Sequence, residues 1–198
     1  MKFDKILILG STYLTELGVE KLKGLGYNLV GCVRNKKSPV PGNINLPDVD
    51  FSVDHDIALS IQYNKLIQNP KNVFNFHTGI LPEYGGIDIL RHTLENKERE
   101  QGITFHKMGA EYDNGPIISK ITYPVFDTDT VESLYLRQCS IAADFICSCV
   151  KLLRNIPENN IDKCLTQKPK IYKRSKKSIE RYKENPINIL DLKRRNHE

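Results

Sequence analysis

The stretch "NVFNFHTGILPEYGG", residues 72–86, decides the fold and opens the question of function. Val73, Phe74 and Phe76 have the composition of a buried strand. Asn75 and His77 interrupt it two residues apart, so on a strand they share one face. Gly79 and the Leu81-Pro82 step then turn the chain away, since glycine permits unusual backbone angles and proline keeps the preceding residue extended. A buried polar group without a partner costs about 1–3 kcal/mol, so this amide and imidazole call for partners. In open parallel sheets, ligands bind beyond the carboxyl ends of strands, where these two residues fall.

Working outward, "DIALSIQY" (56–63) reads as the preceding strand. "KILILG" (5–10) is a compact apolar run that stops at Gly10-Ser11. Leu14, Leu17, Gly18, Leu22 and Leu25 then recur at helical spacing, and "YNLVGCV" (27–33) returns as a strand. Strand–helix–strand opens a parallel α/β unit. Residues 35–50, rich in Pro, Asn and Gly, read as a loop short enough to omit a peripheral helix. Downstream, "GGIDILRHTLENKE" (85–98) predicts a helix, and "GITFHKM" (102–108) and "GPIISKITYPV" (115–125) predict paired strands. A long helix over 130–154 starts from a capping-box-like Asp129 and Glu132 and ends at Asn155 and Pro157. Its stripe of Val131, Leu134, Tyr135, Ile141, Ala142, Phe145, Cys149 and Leu152 reads as core packing rather than a cofactor site. The expectation is an α/β fold, a mostly parallel sheet flanked by helices over 1–157, with a short basic C-terminal extension over 158–198.

Composition narrows the function classes. Hydrophobic content of 39% against 27% charged residues fits a folded globular chain and argues against global disorder. No apolar run approaches the roughly 20 residues of a membrane span, and Asp4 and Lys5 precede too short an apolar run for a signal peptide. A cytoplasmic protein is expected. Cys32, Cys139, Cys147, Cys149 and Cys164 include no C-x-x-C pair. Cys147 and Cys149 would lie roughly 200° apart on a helix, so the five read as reduced structural thiols. Charge is uneven. From Lys168 onward eleven Lys/Arg face four Asp/Glu, a net +7, while the rest carries 18 against 20, a net −2. Such an end suits a phosphate-bearing substrate, RNA, a membrane surface or simple solvation. Nucleic acid is disfavoured, because Tyr172 and Tyr182 are isolated and no aromatic-interleaved motif accompanies the charge.

A second polar cluster lies downstream. Thr104 and His106 share a strand face, and seven residues after His106 comes Asp113 in "YDNGP", where Asn-Gly signals an exposed turn. The combined pattern, N-x-H-x-G-x-L-P-x-Y-x-G followed by G-x-T-x-H-x6-D-x-G-P-I, resembles the formyltransferases that use 10-formyltetrahydrofolate. That family includes glycinamide ribonucleotide formyltransferase, methionyl-tRNA formyltransferase and the sugar N-formyltransferases. The resemblance spans about residues 4–155 and is most specific over 56–118.

The resemblance implies a Rossmann-like core, a formyl-transferring enzyme and 10-formyltetrahydrofolate as co-substrate, with no metal. Asn75, His77 and Asp113 match the catalytic positions, and His106 and Thr104 the supporting ones. The folate would lie against Tyr63, Asn64, Leu66 and Ile67 and the loop of Ala110, Glu111 and Tyr112. Gly10, Ser11, Thr78, Gly79 and Tyr84 would face the acceptor. These residue types fit the chemistry: donors on Asn75 and His77 stabilise a developing oxyanion, and Asp113 moves protons between amine and folate nitrogen.

The pattern departs at the acceptor side. "LGSTYLTELG" lacks the Gly/Ser/Asn-rich cradle of the purine-pathway enzyme. About 40 residues follow the long helix, too few for the barrel that the transfer-RNA enzyme adds. Gly85-Gly86 stands where the family often has Arg-Gly. The expected acceptor is therefore the primary amine of a nucleotide-linked amino sugar. The alternatives are glycinamide ribonucleotide, or a folate-binding relative without activity. A homo-oligomer through the long helix or the tail stays open.

Overall fold

The computed structural model describes residues 1–35, 40–68, 70–164, 166 and 168–173. Its elements run β1 (Lys5–Leu9), α1 (Tyr13–Gly24), β2 (Asn28–Val33), β3 (Ile57–Ile61), β4 (Val73–His77), β5 (Gly85–Gly86), α2 (Ile89–Glu95), β6 (Glu100–Lys107), β7 (Ile117–Pro124), α3 (Val131–Asn155), α4 (Glu158–Ile161) and β8 (Ile171–Tyr172). Six strands form one sheet in the order β2-β1-β3-β4-β6-β7, and β5 and β8 form a separate pair. β2, β1, β3 and β4 are parallel, while β6 and β7 are antiparallel additions. Strand order reverses at β1, and the crevice beyond the carboxyl ends of β1, β3 and β4 is where such a sheet accepts a ligand.

Alternation along the strands divides the core. Ile6, Ile8, Leu59, Ile61, Phe74 and Phe76 pack with Leu14, Ala142 and Phe145 of α1 and α3. Leu7, Leu9, Ala58 and Val73 belong to a second cluster, closed by Val49, Val53, Ile67 and Met108 rather than by a helix. The connection from β2 to β3 has no helix among its described residues. By the same alternation, Ser60, Asn75 and His77 lie on the face that α1 and α3 leave to loops.

Three local expectations are corrected. The helix expected from Gly85 begins only at Ile89, because Gly85 and Gly86 are taken up in pairing with Ile171 and Tyr172. α3 is capped by Thr130 and Ser133, each side chain bonding the other's backbone N–H, while Asp129 instead holds Arg137. Leu153, not Leu152, continues the buried stripe of α3; Leu152 is exposed. All five cysteines are free, four of them buried.

The described part of the expected C-terminal extension packs on the core. Ile161 is fully buried in the main cluster, and residues 168–173 return to the carboxyl edge of the sheet. Residues 174–198, most of the basic tail, lie outside the described residues. No described helix is long and apolar enough to cross a membrane.

Candidate active site

Strand register builds the first half of the site. Ser60 of β3, Asn75 of β4 and His106 of β6 are direct neighbours across three strands. Their side chains form one chain of hydrogen bonds. Ser60 Oγ–H donates to Asn75 Oδ1 at 2.7 Å, and Asn75 Nδ2–H donates to His106 Nε2 at 3.1 Å. His106 Nδ1 lies 3.0 Å from its acceptor, the Lys107 carbonyl, so Nδ1 carries the ring proton and Nε2 is free to accept. Burial first, and then the neighbouring His77 cation, hold the His106 pKa down to about 4. His106 is therefore neutral near pH 7, and its 4.0 Å approach to Asp113 is not an ion pair. The amide of Asn75 is locked from both ends, and its second Nδ2–H points toward Asp113 Oδ1, 3.5 Å away.

The second half is a buried ion pair. His77 Nδ1 lies 3.2 Å from Asp113 Oδ1, with side-chain exposures of 6% and 10%. Burial pulls the His77 pKa down, but the Asp113 carboxylate and the Tyr84 carbonyl outweigh it and leave the value raised. Burial pushes Asp113 up, but His77 and the Gly86 N–H outweigh it and leave the value lowered. The pairing thus favours a cationic His77 and an anionic Asp113. Both ring hydrogens are used, because His77 Nε2–H donates to the Tyr84 carbonyl at 2.6 Å. An oxyanion would have to displace that 2.6 Å carbonyl to take a bond from His77, but only the long 3.5 Å contact to Asp113 to take one from Asn75, so Asn75 is the more available donor. Gly79 makes room for the ring: a Cβ there would lie 2.8 Å from His77 Nε2. Asp113 has φ 51°, a left-handed conformation that Asp tolerates at a turn, and its Oδ2 accepts the Gly86 N–H at 2.7 Å.

These groups open into a cleft of about 610 Å³. Tyr63, Asn64, Tyr112 and Thr78 line it, together with Asn75, His77 and Asp113. Leu66, Ile67, Ala110, Glu111, Gly10, Ser11, Gly79 and Tyr84 do not line it. Ile67 packs in the second core cluster, and Leu66 is exposed. Ser11 Oγ is engaged by the backbone carbonyl and N–H of Asn35, and Thr12, the N-cap of α1, lines the wall in its place. Tyr84 directs its hydroxyl away to Glu98 and Asn96 and serves the site through its carbonyl. Thr104 is fully buried and clamps the turn after β4, donating to the Gly79 carbonyl and accepting from Leu81 N–H.

Three contributors were absent from the sequence-level site. Ser60 was signalled only as a lone hydroxyl inside "IALSI". Gln138, on the face of α3 read as plain core, is fully buried at the cleft wall with both side-chain polar atoms unpartnered. The third is the segment 168–173. Lys170 N–H donates to the Pro82 carbonyl, Gly85 N–H to the Lys170 carbonyl and Ile87 N–H to the Tyr172 carbonyl. Tyr172 stacks flat on Tyr84 at 5.0 Å, and Ile171, Tyr172 and Lys173 line the cleft. Among the described residues no group of His, Cys, Asp or Glu is arranged to hold a metal.

Residues 57–150 match the family model described as formyl transferase. The chain is 32% identical over 137 residues to the bifunctional polymyxin resistance protein ArnA of Wigglesworthia glossinidia brevipalpis, across 64% of this chain and 21% of that one. It is 32% identical over 108 residues to the methionyl-tRNA formyltransferase of Thermosipho africanus, across 52% of this chain and 34% of that one. The chain thus spans about a fifth and a third of the length of these two relatives. The fold superposes with a TM-score of 0.73 and 18% identity on the N-formyltransferase of Helicobacter canadensis in complex with folinic acid and dTDP-3-aminofucose, covering 85% of this chain and 70% of that one.

Proposed function

We infer that this chain, whose residues 57–150 belong to the formyl transferase family, moves a formyl group from 10-formyltetrahydrofolate to the primary amine of a nucleotide-linked amino sugar. The observation that carries this reading is the convergence of three groups from separate elements. Asp113 Oδ1 lies 3.2 Å from His77 Nδ1 and 3.5 Å from Asn75 Nδ2.

Tyr63, Asn64 and Tyr112 would hold the folate, on two loops that carry left-handed residues at the cleft, Gln62 (φ 55°) and Asp113 (φ 51°). The folate supplies the formyl carbon, and its nitrogen regains a proton as that carbon leaves. Asn75 turns its second Nδ2–H from the 3.5 Å contact with Asp113 to the formyl oxygen as that atom gains negative charge. A preorganised donor of this kind contributes roughly 3–4 kcal/mol to the rate barrier. Asp113 accepts the proton that the amine loses as the new N–C bond forms. It then releases a proton toward the folate nitrogen as the old C–N bond breaks, so the protein ends unchanged. His77 keeps Asp113 ionised before the amine gives up its proton and holds it facing the site through both steps.

Two features support an amino sugar over glycinamide ribonucleotide. The Ser11 hydroxyl, which a phosphate cradle after β1 would use, is already bonded to Asn35. Lys173 brings a cation to the cleft wall, suited to the diphosphate of a nucleotide sugar. The complex of the Helicobacter canadensis neighbour is consistent with that acceptor class. The test is turnover with 10-formyltetrahydrofolate and a panel of 3-amino and 4-amino dTDP- and UDP-sugars, with glycinamide ribonucleotide alongside. Formylation of a panel member is expected. Turnover of glycinamide ribonucleotide alone refutes the acceptor assignment.

A further inference from the structure

We propose that residues 169–173 are a positioning element of the active site: the chain adds its own strand to Gly85–Ile87 and so fixes the one backbone amide that orients Asp113. The argument is the alternation of a strand. Successive N–H groups point to opposite sides. Gly85 N–H and Ile87 N–H donate to Lys170 and Tyr172, and Gly86 N–H, between them, points the other way and meets Asp113 Oδ2 at 2.7 Å. Pairing on one side thereby sets the direction of the bond on the other. Among the described residues, β5 has no strand partner except β8.

The local sequence is shaped for this crossing. Gly86 has φ +95°, and a Cβ there would lie 2.1 Å from the Tyr172 carbonyl oxygen. A Cβ on Gly85 would meet Ile171 at 2.9 Å and Pro169 at 3.0 Å. The departure from Arg-Gly at this step is therefore occupied space, filled by the strap. Side chains hold it down. Tyr172 contacts the rings of Tyr84 and His92, its hydroxyl accepts from Asn96 Nδ2, and Lys170 Nζ sits 4.8 Å over its ring. The titratable groups facing Asp113 are His77 and His106, so a change at Gly86 alters a carboxylate whose other contacts remain in place.

The test uses the full chain with Tyr172→Ala, Tyr172→Phe and Gly85→Val. Three quantities are followed: amide exchange of Gly85 and Ile87, the titration of the Asp113 carboxyl carbon by NMR, and turnover on the sugar-nucleotide panel. Tyr172→Ala and Gly85→Val are expected to speed exchange at least about tenfold, as a local opening does. They should also raise the Asp113 midpoint by about half to one pH unit, the direction that follows loss of a hydrogen bond to the charged form. Turnover should fall while folinic acid affinity is retained, and Tyr172→Phe should recover most of each effect relative to alanine. Faster exchange with an unmoved Asp113 titration overturns the positioning role and leaves the strap structural only. Unchanged exchange in both disruptive variants overturns the pairing. The kinetic arm rests on the proposed transfer reaction and the titration does not. A wild-type protein that formylates no amine, yet shows the Asp113 shift, refutes the reaction and sustains the positioning.

Discussion

Replacing Asp113 by Asn should uncouple the site in a way that pH reveals. In the wild-type protein His77 has its pKa raised above the ordinary 6.5, and Asp113 has its own lowered below 3.8. A raised histidine contributes stability that is complete below 6.5 and lost as pH rises through its folded value. A lowered carboxylate contributes stability that is present above 3.8 and lost as pH falls through its folded value. The pair therefore stabilises fully between those two ordinary values and fades on the alkaline side. Asparagine leaves a fully buried imidazole without its counter-charge, and burial then favours the neutral ring. At pH 5.5 the unfolded chain protonates this histidine while the folded variant does not, a difference of about 1.4 kcal/mol that vanishes by pH 8. Histidines away from the site are common to both proteins and cancel, and the burial that chiefly holds His106 down to about 4 is unchanged by the substitution, which keeps it neutral at pH 5.5. Urea denaturation of wild type and variant at pH 5.5 and pH 8 measures it directly. The destabilisation should be larger at pH 5.5 by at least about 1.4 kcal/mol. The same variant should lose roughly 10²–10⁴ in kcat, the range of general acid–base catalysis, while folinic acid still binds. A stability loss equal at both pH values refutes the protonated state of His77. An unchanged kcat refutes the proton route through Asp113, whereas folinic acid binding with no turnover in the wild-type protein favours an inactive folate-binding relative.

Two further substitutions probe groups outside the ion pair. Ser60→Ala removes the donor to Asn75 Oδ1, 2.7 Å away, while His106 still holds the other end of the amide. Stability should fall by about 1–2 kcal/mol in chemical denaturation and kcat by roughly tenfold, with no further loss when Ser60→Ala is added to Asn75→Ala. Gln138→Leu removes a fully buried amide that has no hydrogen-bond partner. The melting temperature should rise, since an unsatisfied group of this kind costs about 1–3 kcal/mol. A fall in melting temperature, measured by calorimetry, would show that Gln138 is satisfied after all.

The trio Asn75, His77 and Asp113 was legible because each member contradicts its surroundings. Asn75 and His77 are polar in an apolar strand, and Asp113 sits on an Asn-Gly turn after a polar strand face. Strand alternation alone then brings Asn75 and His106 together once β4 and β6 pair. What was illegible depends on distant chain. Gly85-Gly86 carries helix-compatible neighbours, and its conformation is imposed by Tyr172, 86 positions beyond Gly86. Ser11 resembles a ligand-facing serine until Asn35 folds against it. Tyr84 and Gly79, expected to face the acceptor, instead touch His77 from outside the cleft, one through its carbonyl and the other through the room its missing side chain leaves. The Gln138 position on α3 fits a core stripe by periodicity, and only the packing brings it to the wall of a cleft. Periodicity reports which face of a helix is inward, not whether the interior there is core or cavity.

The strap also bears on modularity. The segment that matches the family, residues 57–150, contains Asn75, His77, His106 and Asp113, and invites treatment as a portable cassette. Gly86 lies inside that segment and its strand partner Tyr172 lies outside it. A chimera that grafts 57–150 onto a different C-terminal segment would carry a glycine pair shaped for a strand that is no longer there. A reciprocal graft that restores a bulky residue at position 85 would meet Pro169 and Ile171 in its path. The glycine pair and the strap form a single structural unit split across the chain, and they should be exchanged together.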